Sequence, residues 1–236
     1  MFRIKNILLS TGLILLASCS GVPGEFTEEN ASPPLFPDVT NGTIPVNIAP
    51  LNFKITEPSK KLIVIFESEK GRLKVHGKNK IEIPLSKWHK LLEQNAGNSL
   101  NITVFAKING EWLKYLPFKI NVKNDPIDPY LAYRLIAPGY ESWSEMGIYQ
   151  RNLTNFDEDP IIDNRLLPGN CMNCHSFNQN NPEQMMFHLR GNVLGTILVK
   201  DGVSIKLNTK TDSTISNCVY PYWHPSGAFI AYSVNS

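Results

Sequence analysis

From residue 41 to about 124 apolar and polar positions alternate in short runs: IPVNIAPLNFKI, KLIVIFES, GRLKVHG, KIEIPL, LNITVFAKI and EWLKYLPFKINV. Breaks such as Glu-Lys-Gly, Gly-Lys-Asn and Asn-Gly separate them. A period of two puts alternate side chains on one face of a strand, and these breaks are turn formers that reverse its direction, so the region predicts a series of short antiparallel strands. One helical turn fits at LSKWHKLLEQ, where Trp88, Leu91 and Leu92 share a face. The pattern then dissolves. Prolines at 126, 129, 138, 160 and 168 forbid long helices, while Tyr130, Tyr133, Tyr140, Trp143, Tyr149 and Phe156 supply aromatic surface that must be covered. Within this stretch EMGIYQRNLT reads as a strand, and the consecutive Asp157, Glu158 and Asp159, which cannot all face one point, read as a solvated turn. Strand patterning returns in MMFHLRG, GTILVKDG, VSIKLNTK and CVYPYWHPSGAFIAYSVN.

These elements predict a mainly β protein. Six or seven strands between 41 and 124 suit a small antiparallel sandwich, and the layout resembles an immunoglobulin-like (Ig-like) domain in strand count, without the cysteine pair of antibody domains. YPYWHPSGAFIAYSVN resembles the blade signature of TolB-like β-propellers, in which an aromatic residue, a Pro-x-Gly turn and an IAYS-type strand close each blade. A propeller needs about 4 to 8 blades of roughly 40–45 residues, whereas one blade fits before Ser236 and the chain stops inside an apolar strand, which leaves an unpaired edge. The expectation is a truncated or fragmentary form of a longer protein, or a last strand that pairs with something else. The expected organisation is a lipoprotein signal peptide (1–18), a flexible Pro-, Ser- and Glu-rich tether (19–40), an Ig-like β-sandwich (41–124), an irregular connector (125–190) and the first blade of an incomplete propeller (191–236).

The N-terminus changes the picture most. MFRIKNILLSTGLILLASCS sets Arg3 and Lys5 ahead of an apolar stretch from Ile7 to Ala17, the layout of an export signal. The stretch falls short of the ~20 residues a spanning helix needs. Its Leu16-Ala17-Ser18-Cys19 ending resembles the lipobox of bacterial lipoproteins, and that resemblance implies acylation of Cys19 and a membrane anchor worth about 0.8 kcal/mol per buried methylene. The expected location is outside the cytoplasm, lipid-anchored to the outer membrane or to the periplasmic face of the inner membrane. A composition of 42% hydrophobic and 19% charged residues suits folded domains, and a net charge of +2 from 23 basic and 21 acidic residues, with no long single-sign run, gives no footprint for nucleic acid.

Export also frames the cysteines, because a free thiol is exceptional in an oxidising compartment. With Cys19 lipidated, three remain, so a simple disulfide framework does not balance. Cys171 and Cys174 lie in GNCMNCHSF. Cys-x-x-Cys-His is the c-type haem attachment pattern: the two sulfurs bond to the porphyrin vinyls and the adjacent histidine, His175, is the proximal iron ligand. Three other readings share these residues. A structural zinc site would combine Cys171 and Cys174 with Cys218 and either His188 or His224. A redox dithiol would want the first cysteine at a helix N-terminus, where RLLPGN stands instead. A plain Cys171–Cys174 disulfide is the third.

For the other side of a haem iron, PEQMMFHLRG offers Met185, Met186 and His188; in a strand Met186 and His188 share one face, with Met185 and Phe187 on the other. Paired with His175, His188 would give a lower potential than a methionine, whose thioether favours reduced iron. His76 and His89 stand apart from other ligand-type residues. The arrangement of CxxCHSF at Cys171 to Phe177, MMFH at Met185 to His188 and YPYWHPSG resembles an exported lipoprotein family of cytochrome c-type, TolB-like proteins. That resemblance implies one covalent haem c and the architecture above. The expected function is a membrane-anchored monohaem cytochrome-like protein that transfers electrons or senses redox state with a redox or envelope protein partner, and not an enzyme, since the nearby ligands argue against the open site a peroxidase needs. The alternative is a TolB-like envelope interaction scaffold whose Cys/His site, with haem or zinc, is structural.

Overall fold

The computed structural model describes residues 21–136 and 140–234, so the signal peptide and Cys19 lie outside the described residues. The chain forms two compact units, whose described parts are 21–43, 51–83 and 97–122 in the first, and 44–50, 84–96, 123–136 and 140–234 in the second. Both are mainly β, with antiparallel sheets and no closed barrel among the described residues.

Strands β1 (Thr27–Glu28), β2 (Leu35–Phe36), β3 (Thr43–Pro45), β4 (Lys54–Ile55), β5 (Lys61–Ser68) and β6 (Gly71–Gly77) come first. After helix α1 (Leu85–Gln94) follow β7 (Ser99–Ile108), β8 (Glu111–Lys114) and β9 (Phe118–Lys123). The large sheet of the first unit runs β1-β8-β7-β5-β6. β5 pairs along one edge of β7, while the other edge forks: Phe105–Ile108 pair with β8 and Ser99–Ile102 with β9. The fork follows from Pro117, which has no N–H for a ladder and splits EWLKYLPFKINV in two. A strand shared by two diverging partners folds one sheet into a sandwich-like unit.

The unbroken apolar run Leu62–Phe66 in β5 is buried throughout, so both faces of this central strand are covered. On one face Ile63 and Ile65 cluster with Phe105 beneath Val22 and Trp112, and Phe26 stands edge-on to Phe105 at 5.4 Å. The described part of the segment expected as a tether is therefore structured: β1 pairs with β8 and β2 with β4. Its apolar residues are too scattered to show a period, yet Val22 and Phe26 pack on the sheet and Leu35 is buried. KIEIPL makes a single bridge, Lys54 to Lys80, and delivers the chain to α1 through Pro84. α1 extends the expected single turn to ten residues and buries Trp88, Leu91 and Leu92; the Trp88 indole N–H donates to the Ile48 carbonyl at 3.0 Å.

The second unit holds β10 (Tyr130–Leu135), β11 (Gly147–Asn152) and β12 (Glu158–Asp163) as one antiparallel sheet. Pro160 fits because β12 is an edge strand whose register slips between Ile148 and Tyr149 of β11. Strands β13 (Asn170–Asn178), β14 (Asn181–Gly191), β15 (Gly195–Lys200) and β16 (Val203–Leu207) make a blade-like four-stranded sheet in sequence order, and β17 (Cys218–Trp223) and β18 (Ile230–Val234) a hairpin. The Cys/His motif is therefore part of this sheet's edge strand β13, and residue 190, the expected domain boundary, falls inside β14. One face of the sheet packs Met172, Met185, Phe187 and Leu189 against Ile148, with Ile162 alongside.

Removing buried methylenes from the first unit tests its packing. Ile102→Ala, at a wholly buried β7 position, is expected to lower unfolding free energy by about 2–5 kcal/mol. Lys119→Ala, at an exposed β9 position, should stay within about 0.5 kcal/mol, both read from urea unfolding of the full chain.

Candidate functional site

The register of β13 against β14 builds the site. Cys171 stands opposite Arg190, Met172 opposite Leu189 and Asn173 opposite His188; pairing then resumes with Ser176 opposite Met186. Between those points β13 spends one residue more than β14, which is a β-bulge at Cys174 and His175. Cys174 carries a φ of 55°, a left-handed conformation that costs a non-glycine residue on the order of 1–3 kcal/mol. In a regular strand residues three apart point to opposite faces. The bulge breaks that alternation between the two cysteines and re-aims Cys174 and His175.

Both thiols are free and partly exposed. Arg134 on β10 donates to the Cys171 sulfur, with Nη2 to Sγ at 3.3 Å. Arg190 lies over the Tyr220 ring at 5.1 Å; its pKa is raised first by the Tyr220 hydroxyl and further by Cys174 and Cys171 close by. The half-buried His175 ring donates to the Ala132 backbone carbonyl and meets Phe177 edge-on at 6.2 Å. Burial, helped by the Arg134 charge, lowers the His175 pKa and favours the neutral ring. One nitrogen occupied as a donor and the ring neutral leaves the other nitrogen with a lone pair, the form a metal binds.

His188 is wholly buried. Its Nδ1 lies 3.1 Å from the Thr196 hydroxyl, the residue opposite it on β15, and its Nε2 has no hydrogen-bond partner. Burial, then the Arg190 charge, lowers its pKa. The Tyr232 hydroxyl, beside Thr196, and the Trp223 indole nitrogen are likewise buried without completing a hydrogen bond. Met186 alternates onto the His188 face and is fully buried, while Met185 belongs to the apolar cluster on the other face.

Cys218 is buried, its thiol directed at the Thr209 carbonyl at 3.6 Å. His224 holds the WHPSG turn through Ser226, Nδ1 to Oγ at 2.8 Å. Among the described residues no three His, Cys, Asp or Glu side chains converge as a metal-holding group, so Cys171, Cys174, Cys218 and His188 or His224 are not drawn together into a four-ligand zinc arrangement. Nor is any described helix long and apolar enough to cross a membrane.

Four contributors escape motif reading: Ala132, Arg134, Arg190 and Thr196. The first three come to the site through strand pairing and packing, which no local spacing encodes. Thr196 does leave a trace, as a buried polar residue opening the otherwise apolar TILV run of β15. Comparison with models of known protein families and with curated proteins finds no match.

The two histidines set a pH dependence. Their folded pKa values lie below the unfolded value of about 6.5, so the unfolded chain takes up protons first and stability falls as pH drops through that value toward the folded ones. The urea midpoint of the full chain is expected to be lower at about pH 5.5 than at about pH 7, with a shallower fall in His188→Gln. An unchanged wild-type midpoint contradicts the assignment of both rings as neutral.

Proposed function

We propose that this chain is an exported, membrane-anchored, monohaem c-type cytochrome-like protein that transfers single electrons or senses redox state. Haem c is attached through Cys171 and Cys174, with His175 as proximal ligand. The observation that carries the reading is the bulge at Cys174 and His175, which breaks strand alternation where a CxxCH pattern needs its sulfurs and imidazole re-aimed. Two free thiols flank Met172 and Asn173, and the adjacent ring is neutral with one nitrogen held by Ala132. These residues fit the group.

When bound, haem c supplies a one-electron couple whose potential follows its ligands and surroundings. The chain's own residues do the positioning. Arg134 orients the Cys171 sulfur, the Ala132 carbonyl fixes the His175 ring, and Met172, wholly buried between the cysteines, pins their strand to the apolar cluster. The redox or envelope partner is a protein, the membrane is reached through a lipid on Cys19, and no catalytic step is assigned.

A second reading is an envelope interaction scaffold of sandwich-like and TolB-like propeller modules in which haem or zinc at the Cys/His site stiffens the structure. Exposed Tyr222 and Phe229 on the β17–β18 hairpin favour a binding surface of that kind. Co-expression with a c-type maturation system, followed by a denaturing gel stained for haem, separates the two. The full chain should give a stained band that Cys171→Ala/Cys174→Ala abolishes; an unstained band carrying zinc would overturn the haem assignment. Cys19→Ser should move the protein from the membrane fraction to the soluble one.

A further inference from the structure

We propose that the Nε2 of His188 is the second axial ligand of the haem iron, and that Thr196 is the residue that positions its ring. This rests on the haem reading above and chooses among Met185, Met186 and His188 as the residue that completes the site.

A buried polar atom without a partner costs about 1–3 kcal/mol, and folded proteins keep few of them. His188 Nε2 is such an atom, in a side chain with no exposed surface. Its other nitrogen lies 3.1 Å from the Thr196 hydroxyl, a group that can accept or donate there, and this outer contact holds the ring direction as in metal-binding histidines. With Nδ1–H donating to Thr196, Nε2 keeps its lone pair. The Tyr232 hydroxyl lies beside Thr196, and both it and Nε2 of His188 are buried without a completed hydrogen bond; of the two, only Nε2 is an imidazole nitrogen able to ligate iron.

Register brings this atom to the motif. His188 pairs with Asn173, which lies between the two cysteines, and sits diagonally from Cys171, whose direct partner is Arg190. Diagonal neighbours on one face of an antiparallel pair are about 7–8 Å apart, within reach of long side chains. The rivals have other employment. Met185 is packed among Ile148, Met172 and Phe187 on the opposite face. Met186 shares the face of His188 and is fully buried, but a thioether is only a weak acceptor and leaves no hydrogen bond unmet. His224 is tied into its turn by Ser226.

The test uses the full chain matured with haem. The ferric protein should be low-spin and lack the charge-transfer band of a methionine-ligated iron. His188→Ala should keep the haem stain but become high-spin, and added imidazole should restore the low-spin spectrum. His188→Met preserves bulk if the alanine variant fails to fold, and should shift the midpoint potential upward. Thr196→Val should raise the high-spin fraction while Thr196→Ser restores the wild-type spectrum. In haem-free Cys171→Ser/Cys174→Ser, nitrogen NMR should show Nδ1 of His188 protonated and Nε2 bare. A stained protein that stays low-spin in His188→Ala, a midpoint potential that does not move in His188→Met, a methionine band lost in Met186→Leu, or a protonated Nε2 in the haem-free chain would each overturn the proposal while leaving haem attachment intact. A wild-type band that does not stain overturns the haem reading itself, and this proposal with it.

Discussion

The pairing of β13 with β14, and its slip at Cys174 and His175, is the constraint on which the second unit's chemistry depends. On the regular side of the slip the ladder assigns each residue a fixed neighbour, so Cys171 meets Arg190 and Asn173 meets His188. On the other side the phase is reset, and Ser176 and Met186 share the face that Asn173 and His188 share. A bulge one residue later would set Cys174 opposite Phe187 and turn it into the apolar cluster, and one residue earlier would do the same to His175, because side chains alternate with a period of two. Met172 makes the choice costly to reverse: it is fully buried, and it lies inside the motif.

Burial and charge act together on the two histidines. Each ring is desolvated and each has a guanidinium near it, Arg134 for His175 and Arg190 for His188. Both influences oppose a second proton. The arginines themselves are not spare cations, since Arg134 bonds the Cys171 sulfur and Arg190 is engaged with Tyr220. The unit thus surrounds a thiol pair with positive charge while keeping its imidazoles neutral, a combination suited to ligands that must be electron-pair donors.

Much of the fold is legible in the sequence where burial imposes a period. KLIVIFES and GRLKVHG correspond residue for residue to β5 and β6, and LSKWHKLLEQ to α1. Legibility fails where a tertiary partner, and not a period, makes the strand. EDPIID reads as a turn followed by a proline, yet becomes an edge strand because β11 tolerates a register slip; NCMNCHSFN has no alternation because its bulge removes it. The site shows the same division. Cys171, Cys174, His175 and the shared face of Met186 and His188 are readable from spacing, whereas Ala132, Arg134 and Arg190 arrive from strands whose pairing no short motif records.

The position of β13 at the margin of its sheet has a kinetic consequence. Among the described residues its only strand partner is β14, so the segment carrying both thiols can leave and return by breaking that ladder, withdrawing Met172 and releasing its side-chain ties to Asn164, Arg134 and Gly227, with β14, β15 and β16 still joined. Local openings of that size lie below the free energy of global unfolding. The chain therefore offers its sulfurs on a sheet margin instead of a sealed interior, and a visiting protein that must handle residues 171–175 needs to unzip one strand, not a domain.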